Sequence, residues 1–232
     1  MVTDLSGTVT VISPHLDDAV FSCGTLLAAV HAARVVTVFA GVPPADMAAP
    51  EGDRAAGFAT AEQAMLARRR EDNHALTMLG AHPVWLDFWG SQYGRPYTPR
   101  EIAAGLQRVL STQTEGVVVA PLGLFHADHV LVHDACRLLM QTTPTPPVQW
   151  VYYEDAIYRR MTGLLQQRLA ECLRAGLCAT PLNLPVGQYL AQKSYALSAC
   201  QSQLQLFGED KLCDLCAPER YWSLTFADTK YP

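Results

Sequence analysis

The chain has 232 residues with a formal net charge of −5, and half of them are hydrophobic. A length and an apolar share of this size predict one large α/β domain, residues 1–232, with a core that needs no staples. Lys and Arg are scattered apart from the run Arg68-Arg69-Arg70, so the basic stripe that a nucleic-acid partner needs is missing. The seven cysteines are odd in number and widely spread, which argues against a disulfide framework and for a reducing compartment. Met1 to Gly7 carries no basic segment ahead of an apolar core, and no apolar stretch reaches the length of a membrane span. The expectation is a soluble, cytoplasmic protein with no membrane span, the oligomeric state open and a homo-oligomer included.

Residues 8–13 are β-branched and apolar on both faces, which predicts a strand covered on both sides. An Ala- and Leu-rich helix over 18–33 and a second apolar run from Val35 to Ala40 complete a βαβ unit. The Pro- and Gly-containing stretch 41–58 reads as a long functional or mobile loop. A helix over 60–79, closed by Gly80, leads to a short strand from Val84 to Phe88. A loop over 90–98 precedes a helix over 99–112 opened by Pro99. Gly116 to Ala120 is a further apolar strand, Asp128 to Met140 a helix, Thr142 to Pro147 a Pro-rich break and Val148 to Tyr153 another strand. The remainder reads as mostly helical, with a loop at Pro181 to Pro185 and a last strand near Trp222 to Phe226. The whole is a Rossmann-like α/β arrangement with a mostly parallel sheet.

Two segments carry chemistry. Ser13-Pro14-His15-Leu16-Asp17-Asp18 follows the first strand and opens the first helix, at the sheet edge where open parallel sheets bind ligands. Gly123-Leu124-Phe125-His126-Ala127-Asp128-His129 stands in the same relation to a later strand. His126, His129 and His133 lie at spacings of three and four in a chain with seven histidines. Imidazole and carboxylate are the usual non-thiolate ligands of catalytic zinc, which leaves a position open for water. The plainer alternative makes Asp17, Asp18 or Asp128 only a helix N-cap. His31, His74 and His82 are isolated and read as surface or packing residues, and His133 as a packing or outer residue. Loops 41–58 and 89–98 are where specificity is expected, with Tyr93, Tyr97 and Trp89 able to stack on a ligand ring or to pack. Cys172, Cys178, Cys213 and Cys216 offer a second, thiolate metal site or a redox pair.

Pro14-His15-Leu16-Asp17-Asp18 and His126-Ala127-Asp128-His129 resemble the two metal segments of the PIG-L or LmbE-like deacetylases. Arg68-Arg69-Arg70-Glu71 with Leu79-Gly80, Tyr153-Glu154-Asp155, and Lys193 with Ser202-Gln203 are similar to further parts of that family, from about residue 9 to about 224. The resemblance implies a Rossmann-like fold and one catalytic zinc, with iron(II) also accepted by such a ligand set. It implies His15, Asp18 and His129 as metal ligands, Asp17 as general base and His126 as oxyanion stabiliser. Arg68 and Asp87 become substrate contacts. The implied activity is removal of an N-acetyl or other N-acyl group from an amino sugar or related small molecule, by attack of metal-bound water. Leu16 and Ala19 replace residues common in relatives, and Cys23-Gly24 stands where Gly-Gly is common; none of these is a ligand position. A hydratase on the same scaffold and a metal-free small-molecule-binding module are the competing readings.

Overall fold

The structure is a computed structural model that describes residues 5, 7–30, 32–111, 113, 115–142 and 148–226. The Pro-rich break after Thr142 and His31 lie outside the described residues. Seven strands form one sheet in the order β3-β2-β1-β4-β5-β7-β6. These are β1 Val9–Ser13, β2 Arg34–Thr37, β3 His82–Trp85, β4 Gly116–Pro121, β5 Val148–Tyr153, β6 Leu177–Leu182 and β7 Tyr221–Phe226. The first five run parallel, and β7 pairs antiparallel with both β5 and β6. The Rossmann-like, mostly parallel sheet is therefore as expected.

Strand alternation divides the core. Val9 and Val11 of β1 and Val117 and Val119 of β4 face one apolar layer, formed with helix α1 (Asp18–Ala29) and part of the C-terminal region. Ile12, Val118 and Ala120 face the other, which packs on α4 (Pro99–Leu110) and α5 (Ala127–Thr142). A strand covered on both sides can be apolar at every position, and β1 is buried throughout. Strand order reverses at β1, which is flanked by β2 and β4. The crevice beyond the carboxyl ends of β1 and β4 is thus the topological switch point, where such sheets hold ligands.

Three elements differ from the sequence reading. The 41–58 loop contains a short helix α2 (Glu51–Ala55), followed by α3 (Ala61–Met78). The third strand lies at His82–Trp85, because its parallel partner β2 ends at Thr37, opposite Trp85. Strand β6, read as helical, is an edge strand paired only with β7; half-exposed and carrying Pro181, it lacks the apolar signature of a central strand.

One buried ion pair ties the C-terminal region to α1. In α7 (Leu190–Leu197), Lys193 is 1% exposed, and its Nζ donates to the Phe21 carbonyl at 2.7 Å and to Glu219 Oε1 at 2.9 Å. Glu219 also accepts from the backbone N–H groups of Thr25 and Leu26 and from the Tyr221 hydroxyl. Gly24 makes this approach possible, since a Cβ there would lie 2.6 Å from Lys193 Cγ. That contact accounts for a glycine in the middle of a helix, where it otherwise costs stability.

Candidate metal centre and cleft

The turn between β1 and α1 is held by its own side chains. Ser13 Oγ donates to the His15 carbonyl at 2.7 Å and accepts from the Ala19 N–H at 3.0 Å. Asp18 Oδ2 accepts from the His15 N–H at 2.9 Å. Asp17 takes a left-handed backbone, φ 75°, and its N–H donates to Asp72 Oδ1 at 3.2 Å. No side-chain cap forms at Asp17, so the N-cap alternative is not what this carboxylate does.

Across the switch point, His129 enters from the first turn of α5. Its Nε2 lies 3.1 Å from Asp18 Oδ2 and 3.2 Å from His15 Nδ1, and His15 Nδ1 lies 3.2 Å from Asp18 Oδ2. Three donor atoms at these separations fit the face of a tetrahedral site, whose edges are roughly 3.3 Å for ligand bonds of about 2.0 Å. The far nitrogen of each ring is held by a carboxylate. His15 Nε2 meets Asp128 Oδ2 at 2.9 Å, and His129 Nδ1 meets Asp155 Oδ1 at 2.6 Å. Asp128 is fixed in turn by the Ser91 N–H at 3.0 Å, and Asp155 Oδ2 by the N–H groups of Gly123 and Leu124 at 3.1 and 2.8 Å. Carboxylate–imidazole pairs of this kind set the tautomer and aim the free nitrogen of a metal-ligating histidine.

The electrostatics point the same way. Burial drives His129 toward the neutral form, but Asp18 and Asp155 outweigh it and raise its pKa to about 10. His15 is raised as well, burial being outweighed by Asp128 and Asp18. Asp18 is buried, yet the two imidazoles hold its carboxyl far below the ordinary range. The cluster favours positive charge at the point where its three donor atoms converge. It thus fits a divalent cation in both donor chemistry and spacing.

His126 also brings a ring nitrogen within 4.8 Å of the other two histidines. Its Nδ1 accepts the Asp128 N–H at 3.2 Å, which leaves the proton of the neutral ring on Nε2. Burial and the charges of His15 and His129 lower its pKa to about 4, so at neutral pH it is an uncharged donor. His15, His126 and His129 thus form one candidate donor set, and Asp18, closer to both His15 and His129 and anionic, offers an alternative third donor.

These groups open into a cleft of about 270 Å³. Loop 41–58 contributes Pro50, Gly52 and Asp53, and the 90–98 loop contributes Gly90, Gln92 and Tyr93. Arg68 lines the cleft from α3, its Nη1 2.7 Å from Asp53 Oδ1, while the Tyr93 hydroxyl donates to Asp53 Oδ2 at 2.8 Å. Arg68 Nε is buried without a partner. Of the three arginines, Arg68 is the one at the site; Arg69 binds the Ala40 carbonyl and stacks on Trp85, and Arg70 is exposed.

Two expectations need correction. Asp87 does not line the cleft: its side chain is 96% exposed and lies 3.6 Å from Arg69, because the chain after β3 turns it outward to solvent. Asp17 does not stand open to a bound water. Leu16 and Asp18 line the cleft, whereas the left-handed turn places Asp17, fully buried, against Asp72 and Cys200. Both of its carboxylate oxygens are buried, and burial, with the Asp72 charge next, raises its pKa well above the usual range despite the Cys200 thiol beside it. Tyr97 and Trp89 pack rather than line the cleft; the Tyr97 hydroxyl accepts the Trp89 N–H, and its ring meets Phe88 edge-on. His133 packs on Tyr152 and bonds to the Pro121 carbonyl, away from the three donors. Among the described residues no cysteine joins a metal-holding group: all seven are free, and Cys172 is buried in the core. The thiolate-site reading is therefore not supported.

Asp155 was assigned no role from the sequence, although its place just past β5, the strand beside β4, is the signal that marks it. Replacing it with Asn removes the charge that holds the His129 ring. Zinc affinity of Asp155→Asn, read by competition with a chromogenic chelator, is expected to fall about 10–100-fold. Unchanged affinity would show that the pair does not support the site.

A switch-point cluster of two imidazoles and a carboxylate, each ring backed by an acid, has the donor chemistry of a site for one divalent metal with a position left open. The family model described as PIG-L: GlcNAc-PI de-N-acetylase matches residues 10–140. The chain belongs to this family of deacetylases, enzymes that hydrolyse an amide C–N bond. Among solved structures, a triple mutant of a deacetylase involved in teicoplanin biosynthesis is 26% identical, with 97% of this chain and 100% of that one covered and a TM-score of 0.78. The zinc-inhibited form of teicoplanin deacetylase Orf2 is 24% identical over 97% of this chain and 100% of that one, TM-score 0.77. The 4-carboxy-2-hydroxymuconate hydratase GalB of Pseudomonas putida KT2440, 16% identical over 97% and 99% of the two chains with a TM-score of 0.62, shares the fold. No curated protein matched.

Proposed function

We propose that the protein is a zinc-dependent N-deacylase that releases acetate, or another small acyl group, from an amino sugar or related small molecule. The observation that carries this reading is the convergence of His15 Nδ1, Asp18 Oδ2 and His129 Nε2 at 3.1–3.2 Å beside a cleft. His15, Asp18 and His129 would hold the metal. When bound, zinc polarises the acyl carbonyl and lowers the pKa of water. His126 offers its Nε2–H to the oxygen that becomes negative as the carbonyl carbon turns tetrahedral. Arg68, which lines the cleft, orients the sugar by its hydroxyl groups.

Asp17 is assigned the proton-accepting role. Its support is its place next to Asp18 and the family resemblance; the role requires its carboxylate to turn toward the cleft from the buried position beside Asp72 and Cys200. Asp17→Asn is expected to keep full metal content and to lose roughly a hundredfold or more in kcat. Full activity in that variant, measured at saturating substrate, would remove Asp17 from the mechanism.

The seven free cysteines suit a cytoplasmic setting, and the single sheet that joins all seven strands supports one catalytic domain. No helix among the described residues is long and apolar enough to cross a membrane. The reading is tested by a screen of N-acetylated amino sugars for acetate release, run with zinc and with chelator. Addition of water without loss of acetate would support a hydratase instead.

A further inference from the structure

The turn that leads from β4 into α5 is strained. Gly123 and Phe125 both have a left-handed backbone, with φ of 80° and 61°, and a bulky aromatic residue rarely adopts it. Such geometry persists only where the surroundings over-determine it. Two charged side chains hold this turn. The first is Asp155, whose Oδ2 accepts the N–H groups of Gly123 and Leu124 while its Oδ1 holds His129 Nδ1. The second is Arg168, in α6 (Leu164–Arg174), which is only 7% exposed. Its Nε donates to the Leu122 carbonyl at 2.8 Å, and its Nη1 pairs with Glu171 Oε2 at 3.0 Å. Its Nη2 packs on Gly123, where an added Cβ would lie 2.9 Å from it and 3.0 Å from the His129 carbonyl. The glycine thus supplies both the positive φ and the room for the guanidinium. Burying that cation costs desolvation that an apolar side chain of similar volume would not incur. Packing alone therefore does not call for an arginine here, whereas fixing a carbonyl in one direction does.

We propose that Arg168 is a positioning residue of the metal centre. By holding Leu122 and Gly123 it fixes the turn whose N–H groups seat Asp155, and so the direction of the His129 ring. The same turn carries His126, whose N–H donates to the Leu124 carbonyl at 2.7 Å. Arg168 lies outside the cleft, so it acts through the turn and takes no part in the chemical step. The inference rests on the reading of His129 as a metal ligand and, for its kinetic part, on the deacylase reading.

The test uses Arg168→Ala in the full chain. Zinc affinity, read by competition with a chromogenic chelator, is expected to fall about 10–100-fold. In the zinc-loaded protein kcat for acetate release should fall about tenfold or more, with KM within about twofold. Arg168 lines an open cavity of about 180 Å³ with His133 and Cys172, through which a guanidinium ion can reach the vacated place. Guanidinium chloride, well below unfolding concentrations, should restore most of both losses, and sodium chloride at equal ionic strength should not. Arg168→Met fills the volume without a donor; it should show the same losses with no recovery. It keeps the test decisive if Arg168→Ala does not fold. Glu171→Gln removes only the exposed partner of Nη1 and is expected to match the wild type. Wild-type zinc affinity and kcat in the Arg168 variants, or losses in Arg168→Ala that guanidinium does not reduce, overturn the assignment. Equal losses in Glu171→Gln overturn it too, since they would place the effect in the ion pair. A wild type that binds zinc but releases no acetate overturns the deacylase reading instead, and the chelator competition still decides the role of Arg168.

Discussion

Asp18→Ala is expected to abolish stoichiometric zinc binding and to lower kcat/KM by about a thousandfold or more. Asp18 supplies the only carboxylate oxygen in the triangle of donor atoms, and it contacts both ring nitrogens at 3.1–3.2 Å. Without it two neutral imidazoles remain, a ligand set with no negative charge to offset the cation. Loss of a Lewis acid that contributes several kcal/mol to the transition state corresponds to a rate loss of that order. The measurement is metal content after dialysis, set beside turnover at saturating zinc. A variant that retains one equivalent of metal and wild-type turnover would show that the His126 ring, not Asp18, completes the site.

Lys193→Met is expected to destabilise the fold by about 3–5 kcal/mol, the usual cost of leaving a buried ion unpaired. The loss concerns more than one contact. Lys193 satisfies Glu219 and the Phe21 carbonyl, and Glu219 bonds to the N–H groups of Thr25 and Leu26 in the helix that begins at Asp18. Loosening that helix moves Asp18, the proposed metal ligand, so zinc affinity should fall together with stability. Lys193→Met/Glu219→Gln should be less destabilised than the sum of the single changes, since the two residues form one unit. Urea unfolding of the four proteins decides it, and strict additivity would show that the pair is not coupled.

Much of the site was legible because its residue types are rare and their placement follows from strand periodicity. His15 and Asp18 follow an apolar strand, and His129 follows another. Both strands end at the same sheet edge whichever partners they choose, so a shared site could be inferred before any pairing was known. Edge strand β6 was not legible, since half-exposed residues around Pro181 carry no core signature. Asp87 failed for a related reason: a position past a strand end says where a residue lies along the sheet but not which way it points. Its side chain turns to solvent and lies 3.6 Å from Arg69.

The amino-acid sequence by itself determined the class of fold and the family, because these depend on local pattern and on side-chain chemistry. The tertiary structure alone decided which groups meet. It brought Asp155 from beyond β5 to His129, and Asp128 back to His15, a hundred or so residues away in the chain. It turned Asp17 inward beside Asp72 while Asp18, the next residue, lines the cleft. Spacing along a chain constrains neighbours within a turn or a strand. Pairing across the sheet and the direction of a side chain are set by packing, which has no counterpart in spacing.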